Sequence, residues 1–402
     1  MSFHFVNPPA TPGSTKRVIL EYVFTNQTNF QFMSKMKVVN FEPSSAEECP
    51  LNDTYNWNDA NRKEFTVMIM KPVAMFENPF LSSPHKLVLC DLWLTMDKPA
   101  DINTRVKLTE TLNRLQYDPT TGHKPKEPHD PWFGFEQEYF VVNDDGVPVS
   151  YDPIKFDYTT AFPLQAVGHE HDKNIGVERD LSVKHLQACI YAGVKVHGAV
   201  RENGPSQWEY QIGPCDGFMA GDHLQMSRYI LLRLAEQCGL RVTLKTAPSK
   251  GGADYSAGHL NFSVRKMREK EGIRFIHHAI NILSKSDQKP LLKIYDQTIE
   301  EANTDRLSNK KVKGHPVIDE FVFDGANKAI TTVRIPPLVA WERRGYLEDR
   351  RPPSSVDPYA AAAGMIRACI FGDFLKPGNE SLKDLSVWDK DASELIEFPY
   401  PS

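Results

Sequence analysis

Residues rich in β-branched and aromatic side chains concentrate at 17–24 (RVILEYVF), 65–71 (FTVMIMK) and 86–93 (KLVLCDLW), and each run predicts a strand. A polar stretch with strand, turn and loop signals, 43–64, separates the first two. From 103 to 116 the period changes: Val106, Leu108, Leu112 and Leu115 recur at helical spacing. Further on, strands are expected at 132–142, 207–212, 241–246, 259–263 and 331–335, and helices at 179–192, 222–238, 266–284 and 356–372. The second of these helices places Ile230, Leu231, Leu234 and Cys238 on one side and stops at Gly239. Mixed helices and strands without a regular βαβ alternation predict an α+β fold with antiparallel strands.

This pattern divides the chain into a loose Pro-, Thr- and Ser-rich arm (1–16), a small β-rich domain (17–105) and a larger α+β domain (106–402). The loop DPTTGHKPKEPHDP at 118–131 reads as a junction or surface insertion. With 402 residues the chain is long enough for two domains. Its net charge of −5, without a basic run, argues against a nucleic-acid or membrane-surface partner. Any bound phosphate must therefore be met by metal ions or a few placed arginines. The six cysteines are scattered with no C-x-x-C pair, the composition of a cytoplasmic protein with reduced thiols. No signal peptide and no membrane span are expected, since the first residues lack an apolar core and no run of about 18 apolar residues follows.

Four short motifs carry chemistry. In WFGFEQEYF (132–140) a strand puts Glu136 and Glu138 on one face with Trp132, and Phe135 and Tyr139 on the other. Two such carboxylates repel unless a cation lies between them. In ENGPSQWEYQIGP (202–214), Glu209 and Gln211 alternate with Trp208, Tyr210 and Ile212, while Glu202 precedes a Gly-Pro turn that can return it to the same site. In AGHLNFS (257–263), His259, Asn261 and Ser263 alternate with Leu260 and Phe262. In GYLEDRRP (345–352), Glu348 and Asp349 stand beside Arg350 and Arg351. Taken singly, each motif reads equally as a solvated sheet face, a structural histidine or an ion-paired loop. Together, five glutamates and a histidine form an oxygen-rich ligand set suited to Mg²⁺ or Mn²⁺. Arg334 and Arg350 would suit a nucleotide and a carboxylate substrate.

WFGFEQEY, AGVKVHG, QWEYQIGP, GDHL, HLNFS, KMRE, RIPP and GYLEDRRP follow one another in an order and spacing that resembles the eukaryotic-type glutamine synthetase family. The resemblance is clear from about residue 70 to 372. It implies an N-terminal β-grasp domain, a C-terminal catalytic α+β domain, and a homo-oligomer of two stacked pentameric rings with active sites between neighbouring subunits. By motif it assigns Glu136, Glu138, Glu202, Glu209, His259 and Glu348 to metal. It assigns Trp132, Pro214, Asn261, Ser263, Arg268, Arg334 and Tyr346 to ATP, and Arg306 and Arg350 to the substrate carboxylate. The implied reaction is attack of a glutamate side-chain carboxylate on the γ-phosphate of ATP, followed by displacement of phosphate by ammonia.

The departures from the family gather on the substrate side. Where the family flap has a glutamate after a histidine, GHPVIDEF (314–321) has Pro316, which has no proton-accepting group; Asp319 or Glu320 would have to substitute. The family's N-R before R-I-P is Asn327-Lys328, so the implied phosphoryl-transfer role passes to Lys328, which keeps the charge but not the planar fork. The N-G-A-G segment reads ADYSAG, and the D-G-S-S loop is replaced by TYNWNDANRKE (54–64), with Asp59 as the nearby acid. The resulting expectation is an ATP-dependent ligase joining a small-molecule carboxylate, glutamate or an analogue, to ammonia or an amine. The alternatives are an ordinary glutamine synthetase and a catalytically impaired scaffold or sensor. The tail SVWDKDASELIEFPYPS is expected to dock its Trp388 on a neighbouring subunit.

Overall fold

The computed structural model describes residues 17–25, 31–57, 65–81, 83–117, 122–150, 175–247, 255–296, 301–308, 323–324 and 332–395. The arm 1–16, Asp59, Pro316, Asp319, Glu320 and Lys328 lie outside the described residues. The chain divides into two compact units, one running to Ile102 and including Tyr191–Gly193, the other holding the remainder.

In the first unit, strands β1 (Val18–Thr25), β2 (Phe32–Val39), β3 (Asn52–Trp57), β4 (Phe65–Glu77) and β5 (Lys86–Trp93) form a sheet in the order β2-β1-β5-β4-β3. β1 and β5 are parallel; the other pairs are antiparallel. Val18, Leu20, Tyr22 and Phe24 alternate along β1 and pack with Met68, Met70, Val88, Cys90 and Leu92 in one apolar cluster. The β-branched and aromatic side chains that predicted these strands thus supply much of the buried cluster. Strand β3 falls within the polar stretch 43–64 that carries strand signals, whereas β2 shows no sequence signal because most of its residues are exposed.

The second unit opens with helix α1 (Thr104–Gln116) and is built on the central strand β6 (Trp132–Val142). Helix α2 (Ile175–Ala192) leads to β7 (Val196–Arg201), β8 (Gln207–Asp216) and helix α3 (Gly217–Gln237). Then come β9 (Arg241–Thr243), β10 (Gly258–Ser263), α4 (Arg265–Arg268), α5 (Ile273–Lys285), α6 (Gln288–Tyr295) and α7 (Glu301–Ser308). β11 (Phe323–Asp324), β12 (Val333–Arg334), α8 (Pro337–Glu342), β13 (Leu347–Asp349) and α9 (Pro358–Cys369) complete the described elements, apart from three short 3₁₀ turns in the tail. The sheet order is β11-β12-β13-β10-β6-β8-β7, with β9 also on β6. One face is apolar: Phe133, Phe135, Tyr139, Tyr210, Leu260 and Phe262 are all buried. Helix α3 packs there, with Arg228 donating to Gln137 Oε1 at 2.7 Å and Ser227 Oγ donating to the Tyr210 hydroxyl at 3.0 Å.

Several expected elements differ in extent. The helix expected at 266–284 is two, α4 and α5. Between them Glu271 has φ +60°, and Gly272 approaches so closely that a Cβ there would lie 2.2 Å from the Met267 carbonyl oxygen. Helix α3 begins five residues before its expected start, at Gly217, because Asp216 caps it by accepting from the Met219 amide at 3.0 Å. It does end before Gly239, which has φ +66°, but Cys238 is exposed instead of facing the core with Ile230 and Leu231. The strand expected at 241–246 spans Arg241–Thr243, and that at 331–335 spans Val333–Arg334. Among the described residues no helix is long and apolar enough to cross a membrane.

Candidate metal and nucleotide site

The polar face of the second sheet is assembled by direct cross-strand pairing. Glu138 on β6 lies opposite Glu209 on β8, and Glu136 opposite Gln211. On the other side of β6, His259 of β10 lies opposite Glu136. Asn261 of β10 pairs with Glu348 of β13, which pairs in turn with Arg334 of β12. Because side chains directly opposite one another share a face, five strands deliver these groups to one surface.

Glu136, Glu209 and His259 offer ligand atoms within 4.8 Å of one another. His259 Nδ1 lies 3.2 Å from Glu136 and 3.4 Å from Glu348, and its Nε2 lies 3.9 Å from Glu138. Glu138 is oriented by the Gln207 side chain at 3.0 Å and the Ala257 amide at 2.8 Å. Asn261 Nδ2 donates to Glu136 at 2.9 Å, and Gln211 donates to Glu209. Glu202 sits on the β7–β8 turn, outside the tight group, near enough to add to the negative potential at Glu209.

The electrostatics of this group call for a cation. Burial first, then the charges of Glu136, Glu138 and Glu202, push the Glu209 carboxyl well above the usual range. Burial and Glu136 raise Glu348 to about 7, against the opposing pull of Arg334 and Arg350. Burial also resists ionisation of Glu136, but hydrogen bonds and charge from His259, aided by Asn261, outweigh it and bring Glu136 down to about 2. Burial drives His259 down to about 4, so at neutral pH its ring is uncharged and carries a free lone pair. Glu348 Oε1 and Asn261 Oδ1 are buried acceptors without a hydrogen-bond donor. Carboxylates crowded together, a neutral imidazole and an undonated carboxylate oxygen fit a hard divalent ion.

Beside the cluster is a cavity of about 340 Å³ whose lining includes Glu136 and Gln211. Six of the seven residues expected to hold ATP line it: Trp132, Pro214, Asn261, Ser263, Arg268 and Tyr346. The seventh, Arg334, instead pairs with Glu348. Arg268 lies over the Trp132 ring, 4.1 Å from its centroid, and donates to Ser263 Oγ at 2.9 Å and to the Asp130 carboxylate at 2.7 Å. The Trp132 indole N–H donates to the same carboxylate at 3.2 Å. Gly134 keeps the floor open, since a Cβ there would stand 3.2 Å from the Ile212 carbonyl oxygen and 3.5 Å from Asn261.

The two remaining arginines behave differently from one another. Arg306 is buried and donates to Asn303 and to the carbonyl oxygens of Arg350, Arg351 and Pro352. It thereby fixes the strand exit on which Arg350 stands, and the Arg350 Nε lies 3.7 Å from Glu348. The GYLEDRRP segment is more than an ion-paired loop. Glu348 faces the cluster from β13, while Asp349 faces inward to Arg351 at 2.5 Å and the Tyr295 hydroxyl at 2.9 Å.

Gln211, Asp130 and Glu178 belong to the site or brace it, though the sequence motifs assigned them no role. Gln211 was legible, since it alternates with Glu209. Glu178, fully buried on α2, accepts from Ser150 and Ser206 at 2.7 Å and from the Trp208 indole at 3.0 Å. It braces the turn carrying Glu202, where Ser206 has φ +58°. Nothing in the local sequence around Glu178 marks that long-range role.

A sequence profile of the glutamine synthetase catalytic domain matches residues 120–279. The chain is 34% identical to a glutamine synthetase of Rattus norvegicus over 364 residues, 89% of this chain and 91% of the relative. It is 35% identical to a glutamine synthetase of Mus musculus over 364 residues, with the same two coverages. Against a glutamine synthetase of Homo sapiens the identity is 34% over 362 residues, again 89% of this chain and 91% of the relative.

Proposed function

Because the chain belongs to the glutamine synthetase family of ATP-dependent carbon–nitrogen ligases, we propose that it joins the side-chain carboxylate of glutamate, or a close analogue, to ammonia or an amine through an acyl phosphate. The observation that carries this reading is the continuity of the carboxylate–imidazole cluster with the Trp132–Arg268 cavity, through Glu136 and Gln211. Mg²⁺ or Mn²⁺ held by Glu136, Glu138, Glu202, Glu209, His259 and Glu348 would neutralise phosphate charge and orient the γ-phosphoryl group.

The residues of the chain account for the rest. Trp132, Pro214 and Tyr346 enclose the base, while Asn261, Ser263 and Arg268 supply polar contacts to the nucleotide. Arg334 and Lys328 offset charge on the transferring phosphoryl group. Arg350, on the segment that Arg306 holds, receives the substrate carboxylate. A substrate carboxylate oxygen attacks the γ-phosphorus and ADP departs; the neutral amine nitrogen then attacks the acyl carbon, phosphate departs, and the nitrogen's surplus proton passes to the departing phosphate. Pro316 replaces the flap carboxylate that would take the ammonium proton, which favours an amine other than ammonia. On the same reading, residues 17–105 are a β-grasp domain and 106–402 the catalytic domain. The chain assembles into stacked pentameric rings in the cytoplasm.

The test is ADP release by the Mg²⁺-loaded protein given ATP and glutamate, with ammonium or with a panel of primary amines. Release that depends on an amine, with a new amide as product, supports the ligase. Ammonium alone sufficing would locate a replacement base in the flap. No release with any acid and amine pair would sink the reading.

A further inference from the structure

The tail beyond α9 is built into the second unit. Trp388 is buried between helix α5 and the segment preceding β6. It stacks on Phe275 at 5.9 Å between ring centroids and meets His278 edge-on at 5.5 Å and His129 at 6.2 Å. This corrects the expectation that it docks on a neighbour. The next residue, Asp389, accepts from the Lys126 amide at 2.9 Å and lies 3.6 Å from His123. Further along, Arg274 of α5 donates to the carbonyl oxygens of Ala392 and Leu395 at 3.3 and 3.0 Å. Phe275 and His278 are one turn apart on α5, so a single helix face and one adjoining loop hold the tail.

That loop ends in the wall of the cavity. The backbone carbonyl of His129, whose ring lies under Trp388, accepts from the Arg265 amide at 2.8 Å. Asp130 has φ +46°, in the left-handed region that Asp adopts more readily than most non-glycine residues. Its carbonyl and carboxylate oxygens hold Arg268 at 2.8 and 2.7 Å, and the carboxylate also takes the Trp132 indole N–H. The cavity's aromatic face and its guanidinium are therefore held by Asp130, the neighbour of the His129 that Trp388 covers.

We propose that the Trp388–Asp389 turn is a positioning clamp for the nucleotide cavity: it holds residues 126–130 so that Asp130 keeps Arg268 stacked on Trp132. The clamp touches neither the carboxylate cluster nor any residue of that cluster's hydrogen-bond shell described above. It rests on reading the cavity as the nucleotide site. Its signature is a loss of nucleotide affinity at unchanged metal affinity, which general loosening of the fold would not produce.

The experiment measures MgADP binding by calorimetry and Mn²⁺ binding by electron paramagnetic resonance on the full chain and on Trp388→Ala, Asp389→Ala and Arg268→Ala. Asp389→Ala leaves the buried indole in place and so guards against a folding defect in Trp388→Ala. The clamp predicts ADP affinity reduced about tenfold in both tail variants, the scale expected when a binding group is displaced without being removed, with Mn²⁺ affinity as in the parent. If the parent binds ADP, Arg268→Ala loses it and both tail variants bind like the parent, the clamp is wrong and the nucleotide reading stands. If ADP and Mn²⁺ affinities fall together in both tail variants, the tail is a general support of the fold and the clamp is wrong. If the parent binds no ADP, the nucleotide reading fails, and the clamp with it.

Discussion

Glu209 faces three other glutamates and is buried, and both conditions raise the cost of its charge. The protein without metal therefore carries a built-in repulsion that a cation relieves. Replacing Glu209 by Gln should raise the thermal midpoint of the metal-free protein by about 2 °C or more, the shift that ~1 kcal/mol brings in a domain of this size. The same change should weaken Mn²⁺ binding by about 100-fold, the upper end of what altering a ligand's surroundings costs. Calorimetry of the two proteins with and without Mn²⁺ checks both halves. A metal-free midpoint that falls, or a Mn²⁺ affinity that is unchanged, would remove Glu209 from the site. Glu178 makes a contrasting case, since it is buried but fully donated to. Truncation to Ala would strand the Trp208 indole and remove the acceptor that Ser150 and Ser206 share, leaving those hydroxyls to pair with each other, at about 1–3 kcal/mol. A denaturation curve shifted by less than about 1 kcal/mol would show that the brace contributes little.

Among elements, helices α3 and α9 approach one another closely. A Cβ on Gly221 would lie 2.4 Å from the Tyr359 ring, whose hydroxyl donates to Asp222 at 2.5 Å. Asp222 also receives Arg105 of α1 at 3.1 Å, so one small residue lets three helices share a carboxylate. Gly221→Ala should cost about 1–3 kcal/mol, as overpacking does. A parent-like unfolding midpoint would mean that the helices separate more easily than the geometry implies. The same elements show what the sequence disclosed. Strand β1 was legible from its β-branched and aromatic content, and β6, β8 and β10 from the alternation of apolar and polar side chains, core on one side and chemistry on the other. Strand β13 was not, since three residues cannot display a period. The break between α4 and α5 was hidden because Gly272 lies inside an otherwise helical pattern and its necessity comes from a close backbone approach. For the site, alternation named the glutamates and His259 but could not say that Arg306 spends its donors on the backbone of 350–352. That depends on a contact 44 residues away in sequence.

For the whole molecule, histidines that resist protonation set the acid limit, among them three away from the carboxylate cluster. Burial lowers His129, His185 and His278 from 6.5 to about 4. At His129 the nearby His123 adds to this and Asp389 opposes it; at His278 Lys390 adds and Asp384 opposes. Between those pH values the unfolded chain takes up protons that the folded chain refuses. Stability therefore rises with pH across the window and is lost as pH falls from 6.5 toward 4. Glu348, held up to about 7 in the folded state, gives the opposite slope between 4.5 and 7. Comparing His278→Gln with the parent isolates the histidine part: the variant's thermal midpoint should depend less steeply on pH between 4 and 6.5. An identical slope in the two proteins would contradict the assignment.

The cross-strand pairs on the polar face have one more consequence. Strands β8, β6, β10 and β13 each contribute their ligand by direct registration against the next. Moving any one of them by a single residue would turn its carboxylate or imidazole to the opposite side of the sheet. Ion capture is thus an audit of strand alignment: a molecule assembled one notch out of step cannot pass it. The fraction of a freshly refolded sample that takes up Mn²⁺ would then count the correctly threaded chains, before any turnover is measured.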